Sequence, residues 1–205
     1  MSRYLMLDGP DGCGKSSQAR ALCEWLDGQG ARVLHVREPG STPVGEALRQ
    51  LLLAKTTGAL LPLTEALLFS AARAQTVLAV VAPALQRGEV VVAERGYLST
   101  LVYQALAFEP GLDFDWVLDL QRRVHGPTLP DVIFVLDVPP AVAAQRRRWR
   151  TDDRIEARGA DYHDRVRAGF LRAAASEPRA VLIDAARPFA QVQDDLRRRI
   201  SEALP

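Results

Sequence analysis

The sequence predicts an α/β fold, a parallel sheet covered by helices on both faces. Three observations lead there. Five short runs rich in Val, Ile and Leu are spread along the chain. None alternates strictly with polar residues, so each reads as a strand buried on both sides. Segments with helical spacing lie between them, and that alternation of element types indicates parallel crossovers.

The strands, in order, are "YLMLD" (Tyr4 to Asp8), "RVLHV" (Arg32 to Val36), "EVVVA" (Glu89 to Ala93), "DVIFVLDV" (Asp131 to Val138) and "AVLID" (Ala180 to Asp184). After the first strand, "SSQARALCEWLDGQG" reads as a helix that stops at Asp27 to Gly30. Leu63 to Leu85 has the spacing of a long helix. The pairs Pro39–Gly40, Pro110–Gly111 and Gly126–Pro127 read as turns, not domain boundaries. No repeat or low-complexity linker interrupts the 205 residues, which read as one domain over 1–205.

Composition narrows the function. A net charge of +1 argues against a polymeric nucleic-acid partner. No apolar run reads as long enough to cross a membrane, and the N-terminus lacks a basic-then-apolar leader, so a cytoplasmic protein is expected. Cys13 and Cys23 are too few for a disulfide framework, and no Cys/His cluster has metal-ligand spacing. Only Lys15 and Lys55 are lysines among 26 basic residues. That bias makes an arginine run less informative and Lys15 more so.

Lys15 belongs to "GPDGCGKS", Gly9 to Ser16, which fits the phosphate-loop pattern G-x-x-x-x-G-K-[ST] between a strand and a helix. The glycines let successive N–H groups turn inward toward phosphate oxygens, and the helix N-terminus adds a favourable dipole. Lys15 would reach the β- and γ-phosphates, and the Ser16 hydroxyl would ligate Mg²⁺. A regulatory GTPase needs a guanine-reading Asn-Lys-x-Asp, which the chain lacks. A motor or transporter ATPase is usually longer. A small kinase, with a second pocket for an acceptor, fits best.

The chain resembles the thymidylate kinase family nearly end to end. The resemblance runs from "MLDGPDGCGKSSQ" through "REPGST" (Arg37 to Thr42), "EALLFSAARAQ" (Glu65 to Gln75), "ERGYLSTLVYQ" (Glu94 to Gln104) and "PDVIFVLDVPP" (Pro130 to Pro140) to "DDRIEARGADYHDRVRAGF" (Asp152 to Phe170). It implies a five-stranded parallel sheet, an ATP–Mg²⁺ donor, dTMP as acceptor and, usually, a homodimer. It makes Gly9, Pro10, Asp11, Gly12, Cys13, Gly14, Lys15, Ser16 and Ser17 the ATP-binding loop.

For the acceptor, the resemblance assigns Asp11 to the sugar 3′-hydroxyl and the metal region; a turn-forming Asp is the plainer account. Phe69 and Arg73 are four apart and share a helix face. Spacing alone favours a core Phe beside a surface Arg, whereas the family implies a ring stacked on the pyrimidine and a donor to its O4. Arg95 stands at the carboxyl end of a strand, where open α/β sheets bind ligands. It resembles the arginine that holds the dTMP phosphate, with Arg49 as a second candidate. Glu38 resembles the acid near Mg²⁺ and the phosphates. Ser99, Tyr103 and Gln104 resemble the group that reads the thymine edge and crowds the sugar 2′ position; a helix cap and face would look the same.

"QRRRWRTDDR", within about residues 145–155, resembles the family lid. Cys13 stands where some members carry a loop arginine, which resembles the subclass whose catalytic arginine comes from the lid. Arg147, Arg148 and Arg150 are equal candidates for it, and Arg154 is a further ATP contact. Many members read Asp-Arg-Tyr or Asp-Arg-His where this chain reads Glu94-Arg95-Gly96. Glu94 is expected to reach Mg²⁺ through water, and Gly96 to free the backbone. The alternatives are a related kinase with another acceptor, or a nucleotide-binding regulator without acceptor chemistry.

Overall fold

Odd and even residues of the central strands serve different layers. Tyr4, Met6, Val91, Ala93, Ile133 and Val135 are buried on one face of the sheet. Leu5, Leu7, Val90, Val92, Phe134 and Leu136 are buried on the other. Side chains alternate across a strand, so a strand covered on both sides must be apolar throughout. The computed structural model describes residues 3–149, 151 and 153–203. Its five strands are β1 (Arg3–Asp8), β2 (Val33–Arg37), β3 (Val90–Glu94), β4 (Val132–Asp137) and β5 (Ala180–Asp184), all parallel in the order β2-β3-β1-β4-β5.

Helix α1 (Lys15–Gly28) follows β1 and packs with α9 (Phe189–Ala203). On the other face lie α3 (Pro62–Thr76), α6 (Phe114–His125) and α8 (Ala160–Ser176). Helix α2 (Pro43–Leu53) packs on α3; Thr42 caps it by accepting from the Gly45 N–H at 2.9 Å, with Pro43 at the first helical position. Helix α3 continues through a π-helical stretch, Val77–Val81, into α4 (Ala82–Gln86). A second π-helical stretch, Leu101–Leu106, follows α5 (Tyr97–Thr100) and carries Tyr103 and Gln104. Helix α7 (Pro140–Arg147) leaves β4 toward the phosphate loop.

One expectation is corrected. The continuous helix Pro62–Gln86 is long and apolar enough, by length and composition, to cross a membrane. Its buried face carries Glu65, Ser70, Arg73 and Thr76, all hydrogen-bonded inside the protein, so it serves as a helix of the core.

Candidate active site

The carboxyl ends of β1 and β3 open into a cavity of about 680 Å³. The phosphate loop forms one wall. All three loop glycines have positive φ: 140° at Gly9, 86° at Gly12 and 98° at Gly14. Gly12 is also fixed by space, because a Cβ there would lie 2.5 Å from the Ala143 carbonyl oxygen on α7. Lys15 arches over the loop, its Nζ donating to the carbonyls of Gly9 and Pro10 at 2.9 Å each.

The opposite wall is the expected acceptor side. Arg49, Phe69, Arg73, Ser99, Tyr103 and Gln104 all border the cavity, as do Glu38, Glu94 and Arg95. Arg95 has φ 69°, a left-handed conformation unusual for a side chain of this size. Its backbone N–H donates to Leu7 O at 2.8 Å, and its guanidinium is held by Asp11 and by Ser99 Oγ at 3.2 Å. Ser99 is itself anchored by buried Asp8, which accepts from its Oγ at 2.6 Å and its N–H at 3.0 Å. The positive φ aims a cation at the phosphate-loop mouth while its strand stays in register.

Asp11 collects charge from three sides. Burial works to raise its pKa, but Arg95, Lys15, the Tyr103 hydroxyl and Arg147 outweigh it and hold the carboxyl at about 2. Glu38 behaves differently: burial raises its pKa, and Arg73, 2.6 Å away through Nε, only partly offsets this. Arg73 also donates to Thr100 Oγ1 at 2.9 Å, to Gln121 Oε1 and to the Gly96 carbonyl at 2.8 Å. Four of its five N–H groups are thus spent inside the protein.

Ser16 donates its hydroxyl to Glu94, and the other Glu94 oxygen lies 2.9 Å from His35 Nε2. Burial works against ionisation of Glu94, but the hydrogen bonds from His35 and Ser16 bring its pKa below the ordinary value. Among the described residues no cluster of three or more His, Cys, Asp or Glu could hold a metal. One hydroxyl and one carboxylate do suit Mg²⁺, which binds few protein oxygens and completes its shell with phosphates and water. The expectation that Gly96 frees the backbone is corrected. Its φ is −173°, ordinary extended chain, and the constraint is steric: a Cβ there would lie 2.1 Å from Met6 Sδ.

The lid arginines separate. Arg147 donates to the Asp11 carbonyl at 2.6 Å. Arg146, which sequence reasoning passed over, donates to the Ala185 carbonyl at 3.0 Å and borders the cavity. Arg148 does not border the cavity; its guanidinium lies 4.5 Å from the centre of the Trp149 ring. Successive helical residues diverge by about 100°, so neighbours in the run cannot all face the loop. Arg150 lies outside the described residues. Arg154 is drawn elsewhere, to the Leu52 carbonyl at 2.9 Å and Glu65 at 2.7 Å, and does not border the cavity. Glu65, also missed, left only a weak signal: one acid in the first turn of an apolar helix.

A phosphate loop opening α1 of a parallel sheet, facing a second charged wall across one cavity, defines a P-loop kinase of the small α/β class. The thymidylate kinase family model matches residues 7–196. The thymidylate kinase of Symbiobacterium thermophilum is 42% identical over 100% of this chain and 95% of its own length. That of Thermomicrobium roseum is 41% identical over 100% and 97%, and that of Pelotomaculum thermopropionicum 38% over 98% and 94%. The chain belongs to the thymidylate kinase family.

Proposed function

We propose that this chain transfers the γ-phosphoryl group of ATP to dTMP, giving dTDP and ADP. The observation that carries the reading is the single cavity joining the phosphate loop to the wall of Phe69, Arg73, Arg95, Tyr103 and Gln104. A phosphate oxygen of dTMP attacks the γ-phosphorus, and the bond to the β–γ bridging oxygen breaks. The protein's part is positioning and charge neutralisation. Gly9 to Ser17 hold the ATP phosphates, and Lys15 swings from the loop carbonyls to the β- and γ-oxygens. Arg95, backed by Asp11 and Ser99, holds the acceptor phosphate; Arg49 is a second contact. Arg147 meets charge that develops on the transferring group. Phe69 stacks on the base, the last Arg73 N–H serves O4, and Tyr103 packs by the sugar. Mg²⁺, held through Ser16 and Glu94, would shield the phosphate charge. Residues 145–155 act as the lid of one domain.

The enzyme is read as a cytoplasmic homodimer. Exposed Leu63 and Leu67 share a face of α3, and exposed Val44 and Leu51 lie on the adjoining α2, which supports self-association. Sedimentation analysis tests this. The cavity suits a mononucleotide, not a polymer. An ADP-release assay with dTMP, dUMP, dCMP, UMP and thymidine tests the function. The highest kcat/KM is expected for dTMP; a better acceptor replaces the substrate, and acceptor-independent turnover removes the kinase reading.

A further inference from the structure

Glu65 is fully buried at 0% exposure in the first turn of α3. Its Oε1 accepts from Arg154 Nη1 at 2.7 Å and Arg158 Nη2 at 2.6 Å, and its Oε2 accepts from Gln104 Nε2 at 2.9 Å. Of the two arginines, Arg154 lies at the end of the lid and Arg158 just after it. The segment that carries Arg154 is closed by reciprocal bonds: Asp153 Oδ1 accepts from the Glu156 N–H at 2.9 Å, and Glu156 Oε2 accepts from the Asp153 N–H at 3.2 Å. Gln104, by contrast, borders the acceptor cavity. One carboxylate therefore joins the lid segment to the residue placed to read the base.

The donor–acceptor chemistry fixes more than position. A carboxylate between two guanidinium groups only accepts hydrogen bonds. Gln104 must turn its NH₂ toward Glu65, which leaves its carbonyl oxygen for the cavity. On the same cavity wall, Arg73 offers only donors. Thymine and uracil present the matching edge, a carbonyl oxygen and an N3–H. Cytosine presents the reverse, an amino group and a bare N3. An amide free to rotate would serve either base; an amide locked by Glu65 serves one.

We propose that Glu65 is a specificity-determining positioning residue: by locking the Gln104 amide it makes the pocket select imide bases over cytosine. The inference rests on reading the cavity as a pyrimidine-nucleotide acceptor site. It is tested with dUMP and dCMP, which share the sugar and lack the 5-methyl group, so that only the base edge differs. The ratio of their kcat/KM values is expected to fall at least about tenfold in Glu65→Gln, because the amide introduced there offers a donor and lets the Gln104 amide turn. Glu65→Asp, still an acceptor only, is expected to keep the ratio even where turnover drops. Should Glu65→Gln fail to fold, Gln104→Met is expected to collapse the same ratio. Equal losses for both nucleotides in Glu65→Gln, or an unchanged ratio in Gln104→Met, would show a purely structural role and overturn the inference. Wild-type enzyme that takes neither dTMP nor dUMP would instead defeat the functional reading, and this inference with it.

Discussion

The Tyr103 hydroxyl donates to Asp11 Oδ2 across 2.7 Å, while Arg95 holds Oδ1 of the same carboxylate. A residue on the π-helical stretch thus completes the setting of an acid inside the phosphate loop. Tyr103→Phe removes a hydrogen bond to a charged group, so kcat/KM for dTMP is expected to fall about tenfold. The ring remains, so rejection of the ribose analogue should persist. Tyr103→Ala should relax it. Steady-state kinetics with dTMP and its ribonucleotide check both; loss of discrimination in Tyr103→Phe would assign it to the hydroxyl.

Arg147 and Arg148 are neighbours with different surroundings, one on the Asp11 carbonyl and one on the Trp149 ring. Arg147→Ala is expected to lower kcat by about 10²-fold or more with little change in dTMP affinity, because its charge matters most in the transition state. Arg148→Ala should stay within a few-fold of wild type. A reversed ranking in single-turnover measurements would move the catalytic role along the helix.

Glu94→Gln keeps the shape of the side chain and removes its charge between Ser16 and His35. The Mg²⁺ concentration for half-maximal rate is expected to rise about tenfold, with kcat recovering in part at high Mg²⁺. Calorimetry of ADP binding across a Mg²⁺ series gives a second readout. Unaltered Mg²⁺ dependence in both would remove Glu94 from the metal site.

His125 lies at 0% exposure, its Nδ1 bonded to the Thr128 carbonyl at 3.0 Å and its ring edge-on to Tyr97. Burial, with Arg73 adding repulsion, brings its pKa down to about 4. The unfolded chain binds this proton near pH 6.5, whereas the folded protein resists it until about pH 4. The stabilisation is full above pH 6.5 and is lost as pH falls toward 4, roughly 3 kcal/mol in all. Urea titrations from about pH 7 to 4.5 should show that slope, and His125→Gln should flatten it by about one proton. Parallel slopes would place the acid sensitivity elsewhere.

Much of the framework was legible because it obeys local rules. Each strand begins and ends within one residue of its apolar run, and "GPDGCGKS" stands where β1 hands over to α1. What sequence reasoning missed depends on distant partners. Glu65 meets Gln104, Arg154 and Arg158 across separations of 39, 89 and 93 residues, which no periodicity encodes. The lid run reads as interchangeable arginines in sequence because helical phase matters only once Ala143 is known to rest on Gly12. The His35–Glu94 contact joins two adjacent strands whose pairing the sequence does not state.

Met6 Sδ occupies the place where a side chain at position 96 would begin. The two positions therefore constitute one shared volume divided between two residues 90 apart in sequence, and neither can be exchanged on its own terms. Placing any side chain at position 96 would first evict a thioether carried by the central strand β1. Alanine at position 6 would remove all three Met6 atoms that a Cβ at position 96 meets. Substitutions at positions 6 and 96 should accordingly succeed in pairs and fail singly, and the tolerated combinations would trace how that volume can be divided.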